Sequence, residues 1–237
     1  MRLYTHPPLM RLLPLLLLAA GLLTACAPHD QPQRLPILGE RDPIARADGG
    51  PADTIYYQIP PFRLTDQAGQ VLTNQSFAGR AYVVSFFFAT CPDLCPRMHR
   101  ALLQVYTPFA TDKRVTFLSH TIDPAHDSIP VLREYAHGMG VQDASRWHFA
   151  TTAPHGETAA RDTVIKLAHA YFTAVMPDKD SPGSVVHNGT IALVDDQGHI
   201  RGVYDSLDAK EMARLLRELP ILLAEIDQRK GAPVASK

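Results

Sequence analysis

A continuous apolar stretch, Ala81 to Phe88, runs almost directly into Cys91-Pro92-Asp93-Leu94-Cys95-Pro96. Its β-branched and aromatic residues predict a buried strand. A helix is expected from Pro96 to about Phe109, where Met98, Leu102, Val105 and Phe109 recur at helical spacing and proline sits in the first turn. The two cysteines therefore fall between the end of a strand and the N-cap region of a helix, with Cys95 at or near the N-cap. Loops at the carboxyl edge of a parallel sheet are where α/β folds place their sites. The spacing is one residue longer than the redox Cys-x-x-Cys. That favours holding a soft metal and leaves disulfide exchange open.

The only other cysteine, Cys26, belongs to a leader. Arg2 and Arg11 give a positive start, Leu12 to Leu23 form an apolar run broken by Pro14, and Leu23-Thr24-Ala25-Cys26 follows. This reads as a secretory signal over 1–25 with a bacterial lipobox, cleaved before Cys26, whose thiol is acylated. The apolar run is shorter than the roughly 20 residues of a spanning helix. The expected location is the bacterial cell envelope, with the protein lipid-anchored to a membrane and its domain in the periplasm or another extracytoplasmic space. There a vicinal dithiol oxidises unless it is reduced continually or filled with metal.

Residues 26–56, rich in Pro, Asp, Arg and Gly without a period, read as a flexible tether. Residues 57–228 are the size of one domain, and 229–237 form a polar tail. A formal net charge of −1 with no basic run makes nucleic acid an unsuitable partner. Within the domain, Phe62–Asp66 and Gln70–Leu72 predict a hairpin about Ala68-Gly69. Val115–Thr121 reads as a second buried strand, Ser128 opens a helix, and Trp147–Ala150 reads as a brief strand at an edge. Glu157 to about Phe172 is helical, and Thr190–Val194 with Ile200–Tyr204 is a hairpin. Asp208 caps a last amphipathic helix to about Ile226. The order is that of a thioredoxin-like three-layer α/β/α sandwich with an N-terminal β-hairpin extension.

Two thiols near a helix N-terminus suit a soft d¹⁰ ion such as Cu(I), and a histidine would complete a trigonal site. Among eleven histidines, two have context. His99 follows Cys95 by four residues on one helix face, and His187 lies in Gly183-Ser184-Val185-Val186-His187-Asn188-Gly189-Thr190, read as a loop before a strand. Both remain candidates on spacing alone. A purely structural Cys91–Cys95 disulfide would enclose three residues and gain little chain entropy. Asp195-Asp196-Gln197-Gly198 has the wrong spacing for a calcium loop and reads as a turn.

The cysteine motif resembles that of the Sco/SenC family. So does Ser119-His120-Thr121-Ile122-Asp123-Pro124-Ala125-His126-Asp127-Ser128, with its Asp-Pro, further Asp and following helix. Trp147-His148-Phe149 and His187 followed by Ile191-Ala192-Leu193-Val194-Asp195 match later segments of the same family in order. The resemblance implies a thioredoxin-like fold and copper, as Cu(I) and also as Cu(II). It implies the ligands Cys91, Cys95 and His187, with Asp123 serving orientation or docking. It implies a role in assembling the binuclear copper centre of cytochrome c oxidase. The implied partners are the oxidase subunit that holds that centre, other copper chaperones or thiol reductants, and the membrane through the lipid anchor. A thiol–disulfide oxidoreductase, with Cys91 and Cys95 as its catalytic redox pair, is the competing expectation.

Overall fold

The computed structural model describes residues 34–45, 48, 50, 52–154, 161–179 and 185–231. Its frame is a seven-stranded sheet in the order β11 (Ile200–Asp205), β10 (Thr190–Val194), β5 (Ala81–Phe87), β6 (Val115–Thr121), β7 (Trp147–Thr151), β3 (Arg63–Asp66), β4 (Val71–Thr73). The centre is β5 (Ala81–Phe87), β6 (Val115–Thr121) and β7 (Trp147–Thr151), parallel to one another and buried along their whole length. Burial on both faces is what a parallel sheet covered by helices requires, and it explains the continuous apolar runs in the sequence. On one side β10 (Thr190–Val194) pairs antiparallel with β5 and with β11 (Ile200–Asp205).

On the other side β3 (Arg63–Asp66) pairs with β7 and with β4 (Val71–Thr73). β7 is thus an interior strand, where the sequence suggested an edge. The N-terminal hairpin covers it, and Asp66 secures the join. One oxygen of Asp66 accepts the Ala68 and Gln70 N–H groups at 2.9 and 2.8 Å, and the other meets His148 Nδ1 at 2.9 Å.

Alternation along the strands divides the layers. Ser85, Phe87, Phe117 and Ser119 face helices α1 (Leu94–Phe109) and α2 (Ile129–Gly138), meeting His99, Tyr106 and Tyr135. Phe86 and His120 face the opposite layer, where Tyr171 follows α3 (Arg161–Ala170). The closing helix α4 (Ala209–Gly231) packs on β11 and α1. Among the described residues no helix is long and apolar enough to cross a membrane.

The stretch read as a tether carries secondary structure in its described part. β1 (Arg41–Ile44) and β2 (Asp53–Tyr56) pair antiparallel, and Leu35 joins the core. Leu35 and Pro36 are docked by groups far along the chain. Arg201, 3% exposed, is held between Asp195 at 3.1 Å and Glu225 at 2.6 Å. The same guanidinium donates to the carbonyls of Leu35 and Pro36 at 2.6 and 3.0 Å, and Glu225 accepts the Leu35 N–H. Removing one member of a buried pair of this kind costs about 3–5 kcal/mol. Cys26 and the leader lie outside the described residues.

Candidate metal centre

β5 ends in a turn, with the Cys91 N–H returned to the Phe88 carbonyl at 3.1 Å. α1 then begins at Leu94 with Asp93 as its N-cap, so Cys95 is the second helical residue rather than the cap. Pro96 is third, where a missing N–H costs nothing. The Cys95 N–H points back at Cys91 Sγ, 3.3 Å away. Cys91 is half-buried, Cys95 is fully buried, and both are free thiols.

The third group arrives from a two-stranded ribbon that the sequence did not reveal. β8 (Val175–Pro177) pairs antiparallel with β9 (Val185–His187), placing Val175 opposite His187. His187 is therefore the last residue of a strand rather than part of a loop. Its Nε2 lies 3.2 Å from Cys95 Sγ, and its ring meets Phe88 edge-on at 6.2 Å. The ligand atoms of Cys91, Cys95 and His187 all lie within 4.8 Å of one another. Metal–ligand distances of about 2.0–2.3 Å place the donors of a trigonal site about 3.5–4 Å apart. The cluster thus needs only small side-chain adjustments to close on an ion.

The chain direction after His187 depends on Gly189, at φ +72°. A Cβ there would lie 2.9 Å from Ser206 Oγ and 3.3 Å from Leu94 Cδ1. Glycine lets this loop close against the first turn of α1. Asn188 Oδ1 accepts the Thr190 N–H and hydroxyl at 3.2 and 2.6 Å and starts β10.

The two sulfurs are unequal. A hydrogen bond from Cys95 draws the Cys91 thiol down to about 4, helped by His187 and the Cys95 and Asp93 N–H groups, against the opposing effect of burial. Donating that hydrogen bond, together with burial, pushes the Cys95 thiol far above its ordinary range.

His99, the other candidate, is not in the cluster. Helical spacing carries it into the core, where Nδ1 meets Tyr135 OH at 2.7 Å and Nε2 faces Ser119 Oγ at 3.4 Å. Burial lowers its pKa to about 3, so it is a neutral core residue. Asp123 accepts from Arg161 of α3 at 3.3 Å, and its N–H donates to Thr121 Oγ1 at 3.0 Å. Asp127 touches the cysteine turn instead: its Oδ2 accepts the Ala89 N–H at 2.9 Å. The sequence offered no sign of that contact, because a residue just before the helix cap reads as part of the cap.

A family model for SCO1/SenC matches residues 53–219. The chain belongs to the SCO1/SenC family. A SCO1/SenC family lipoprotein from Bacillus anthracis is 23% identical over 70% of this chain and 95% of that one, with a TM-score of 0.61. BsSco, a member of the Sco family of cytochrome c oxidase assembly proteins with a disulfide switch, is 20% identical over 70% and 94%, at 0.59. ScoI of Bradyrhizobium japonicum, solved with copper bound, is 24% identical over 68% and 98%, at 0.52. At these identities the structural likeness establishes the thioredoxin-like α/β fold that this SCO1/SenC chain shares.

Proposed function

We propose that this SCO1/SenC protein carries copper on Cys91, Cys95 and His187 and passes it to the binuclear copper centre of cytochrome c oxidase. The carrying observation is the 3.2 Å approach of His187 Nε2 to Cys95 Sγ beside a second free thiol. Two thiolates and one imidazole are a soft donor set that suits Cu(I). The half-buried face of Cys91 gives an acceptor protein access for ligand exchange. The copper-bound relative and the oxidase-assembly relative support the same reading. Acylated Cys26 would hold the domain at a membrane on the extracytoplasmic side, in line with the lipoprotein relative.

The test is anaerobic titration of the protein with Cu(I) against a competing chelator. One tightly bound equivalent is expected, with a rise in melting temperature, because only the folded chain presents the assembled ligands. No binding, or an unchanged melting temperature at saturation, would overturn the proposal. The second reading, a thiol–disulfide oxidoreductase that keeps the oxidase cysteines reduced, is favoured by one observation: two free thiols stand side by side, with the Cys95 N–H 3.3 Å from the sulfur of the half-buried Cys91.

A further inference from the structure

Asp127 is fully buried, yet the groups that face it are mostly neutral. Its side-chain partners are the Ala89 N–H at 2.9 Å, the Thr121 hydroxyl, and Nδ1 of the half-exposed His126 at 2.8 Å. Burying a carboxylate without an arginine or lysine is costly, so the fold retains it against a penalty. Helix capping does not explain it, since Ser128 is the N-cap residue of α2. Within its own loop the Asp127 N–H donates to the Asp123 carbonyl at 2.9 Å, and this bond needs no carboxylate.

The carboxylate joins two segments that are distant in sequence. Ala89 lies two residues before Cys91, inside the turn that Cys91 closes on Phe88. Thr121 is the last residue of β6, and its hydroxyl also accepts the Asp123 N–H at 3.0 Å. One Asp127 oxygen therefore holds the cysteine turn and the strand end together. Without it, the Ala89 N–H loses its partner, and the turn keeps only the Cys91 N–H bond to the Phe88 carbonyl and the Cys95 N–H contact with Cys91 Sγ.

We propose that Asp127 is a positioning residue for the metal centre: its carboxylate ties the Phe88–Cys91 turn to the end of β6, fixing Cys91 Sγ where one ion can bridge it with Cys95 and His187. The proposal rests on the copper reading above. Loss of a group that orients a metal ligand typically costs about 10- to 100-fold in metal affinity.

The experiment measures Cu(I) affinity of the full-length protein by anaerobic chelator competition, and records sulfur-to-Cu(II) absorption of the Cu(II) form. Asp127→Ala should weaken Cu(I) binding about 10- to 100-fold and alter the absorption, whereas Asp127→Asn should stay within about threefold of wild type. Asparagine keeps an oxygen that both Ala89 and Thr121 can reach. Asp195→Asn, a change in a buried carboxylate at the other end of β10, should lower the melting temperature and leave copper affinity unchanged. If Asp127→Ala does not fold, Asp127→Ser replaces it, being polar but too short to reach Ala89. A folded Ala or Ser variant with wild-type affinity and absorption overturns the proposal while the copper reading stands. Equal loss of affinity in Asp195→Asn at a matched melting temperature also overturns it, since general destabilisation then suffices. Absence of copper binding in the wild type removes both readings together.

Discussion

Cys95 Sγ lies 3.2 Å from His187 Nε2, across a sequence separation of 92 residues. The contact joins the first turn of α1 to the end of β9 and makes copper carriage and thiol exchange separable. Exchange between Cys91 and Cys95 needs no imidazole, whereas a three-coordinate metal does. His187→Ala should weaken Cu(I) binding by more than about 100-fold, beyond the effect typical of an outer partner. Reductase turnover on a disulfide substrate should survive the same change. Normal oxidase copper-centre assembly in cells carrying His187→Ala, with failure in Cys91→Ala and Cys95→Ala, would give the function to thiol reduction.

The inequality of the two thiols is open to alkylation. With Cys91 drawn down to about 4, the metal-free protein should react with iodoacetamide at one site, at a rate nearly flat from pH 6 to pH 8. An ordinary thiol would speed up about tenfold per pH unit over that range. Peptide mapping should place the adduct on Cys91 and leave Cys95 unmodified, since it is buried and held protonated. A steep rise in rate towards pH 8 would show that Cys91 is not held as a thiolate.

Much of this geometry was written in local pattern. The β5 and β6 runs and the helical spacing of Met98, Leu102 and Val105 placed the cysteines between strand and helix, because burial on two faces or on one stripe leaves a period in the sequence. The same spacing misleads at His99: following Cys95 by one helical turn puts it on the buried stripe, not beside the sulfurs. The ribbon that delivers His187 left no period, since β8 and β9 are three residues each. The Ala89–Asp127 contact spans 38 residues, and the Arg201 contacts that dock Leu35 and Pro36 span 166 and 165. Neither leaves a local trace.

His120 sets an acid limit on stability. It is 1% exposed and stacked on Phe86 at 4.9 Å, and neither ring nitrogen has a hydrogen-bond partner among the described residues. Burial lowers its pKa to about 3, and that of His99 likewise. Between about pH 6.5 and pH 3 the unfolded chain binds protons that the folded chain refuses. Each histidine therefore contributes stability that is complete above about pH 6.5 and is lost on acidification at up to about 1.4 kcal/mol per pH unit. His120→Phe removes the unpaired nitrogens and keeps the stack. Denaturant melts should show a shallower acid slope for the variant and equal or greater stability at pH 5. An unchanged slope would mean that His120 is protonated in the folded state.

The anchor can be read by mass. Leu23-Thr24-Ala25-Cys26 predicts a mature chain beginning at an acylated Cys26, and a relative is a SCO1/SenC family lipoprotein. Membrane-extracted protein should give an N-terminal peptide carrying the mass of the lipid. An intact leader on the mature form would rule the anchor out.

Gly189 couples the fold to the metal centre. It stands two residues after His187 at φ +72°, with Ser206 Oγ, Leu94 and Leu207 around the place where a Cβ would be. Ser206 also donates its N–H to the Gly189 carbonyl at 3.2 Å, so the loop is held to the end of β11. Gly189→Ala should cost about 1–2 kcal/mol for the left-handed backbone alone. The clash with Ser206 and Leu94 adds to that and can be relieved by moving the loop, which displaces His187 from Cys95. The expected outcome is a lower melting temperature in the metal-free protein and a smaller stabilisation by Cu(I), since ligand-linked stability follows affinity. Ser206→Ala in the same chain removes the nearest atom and should restore part of both. A Gly189→Ala protein that gains as much from Cu(I) as the wild type would show that His187 reaches the sulfurs independently of this loop.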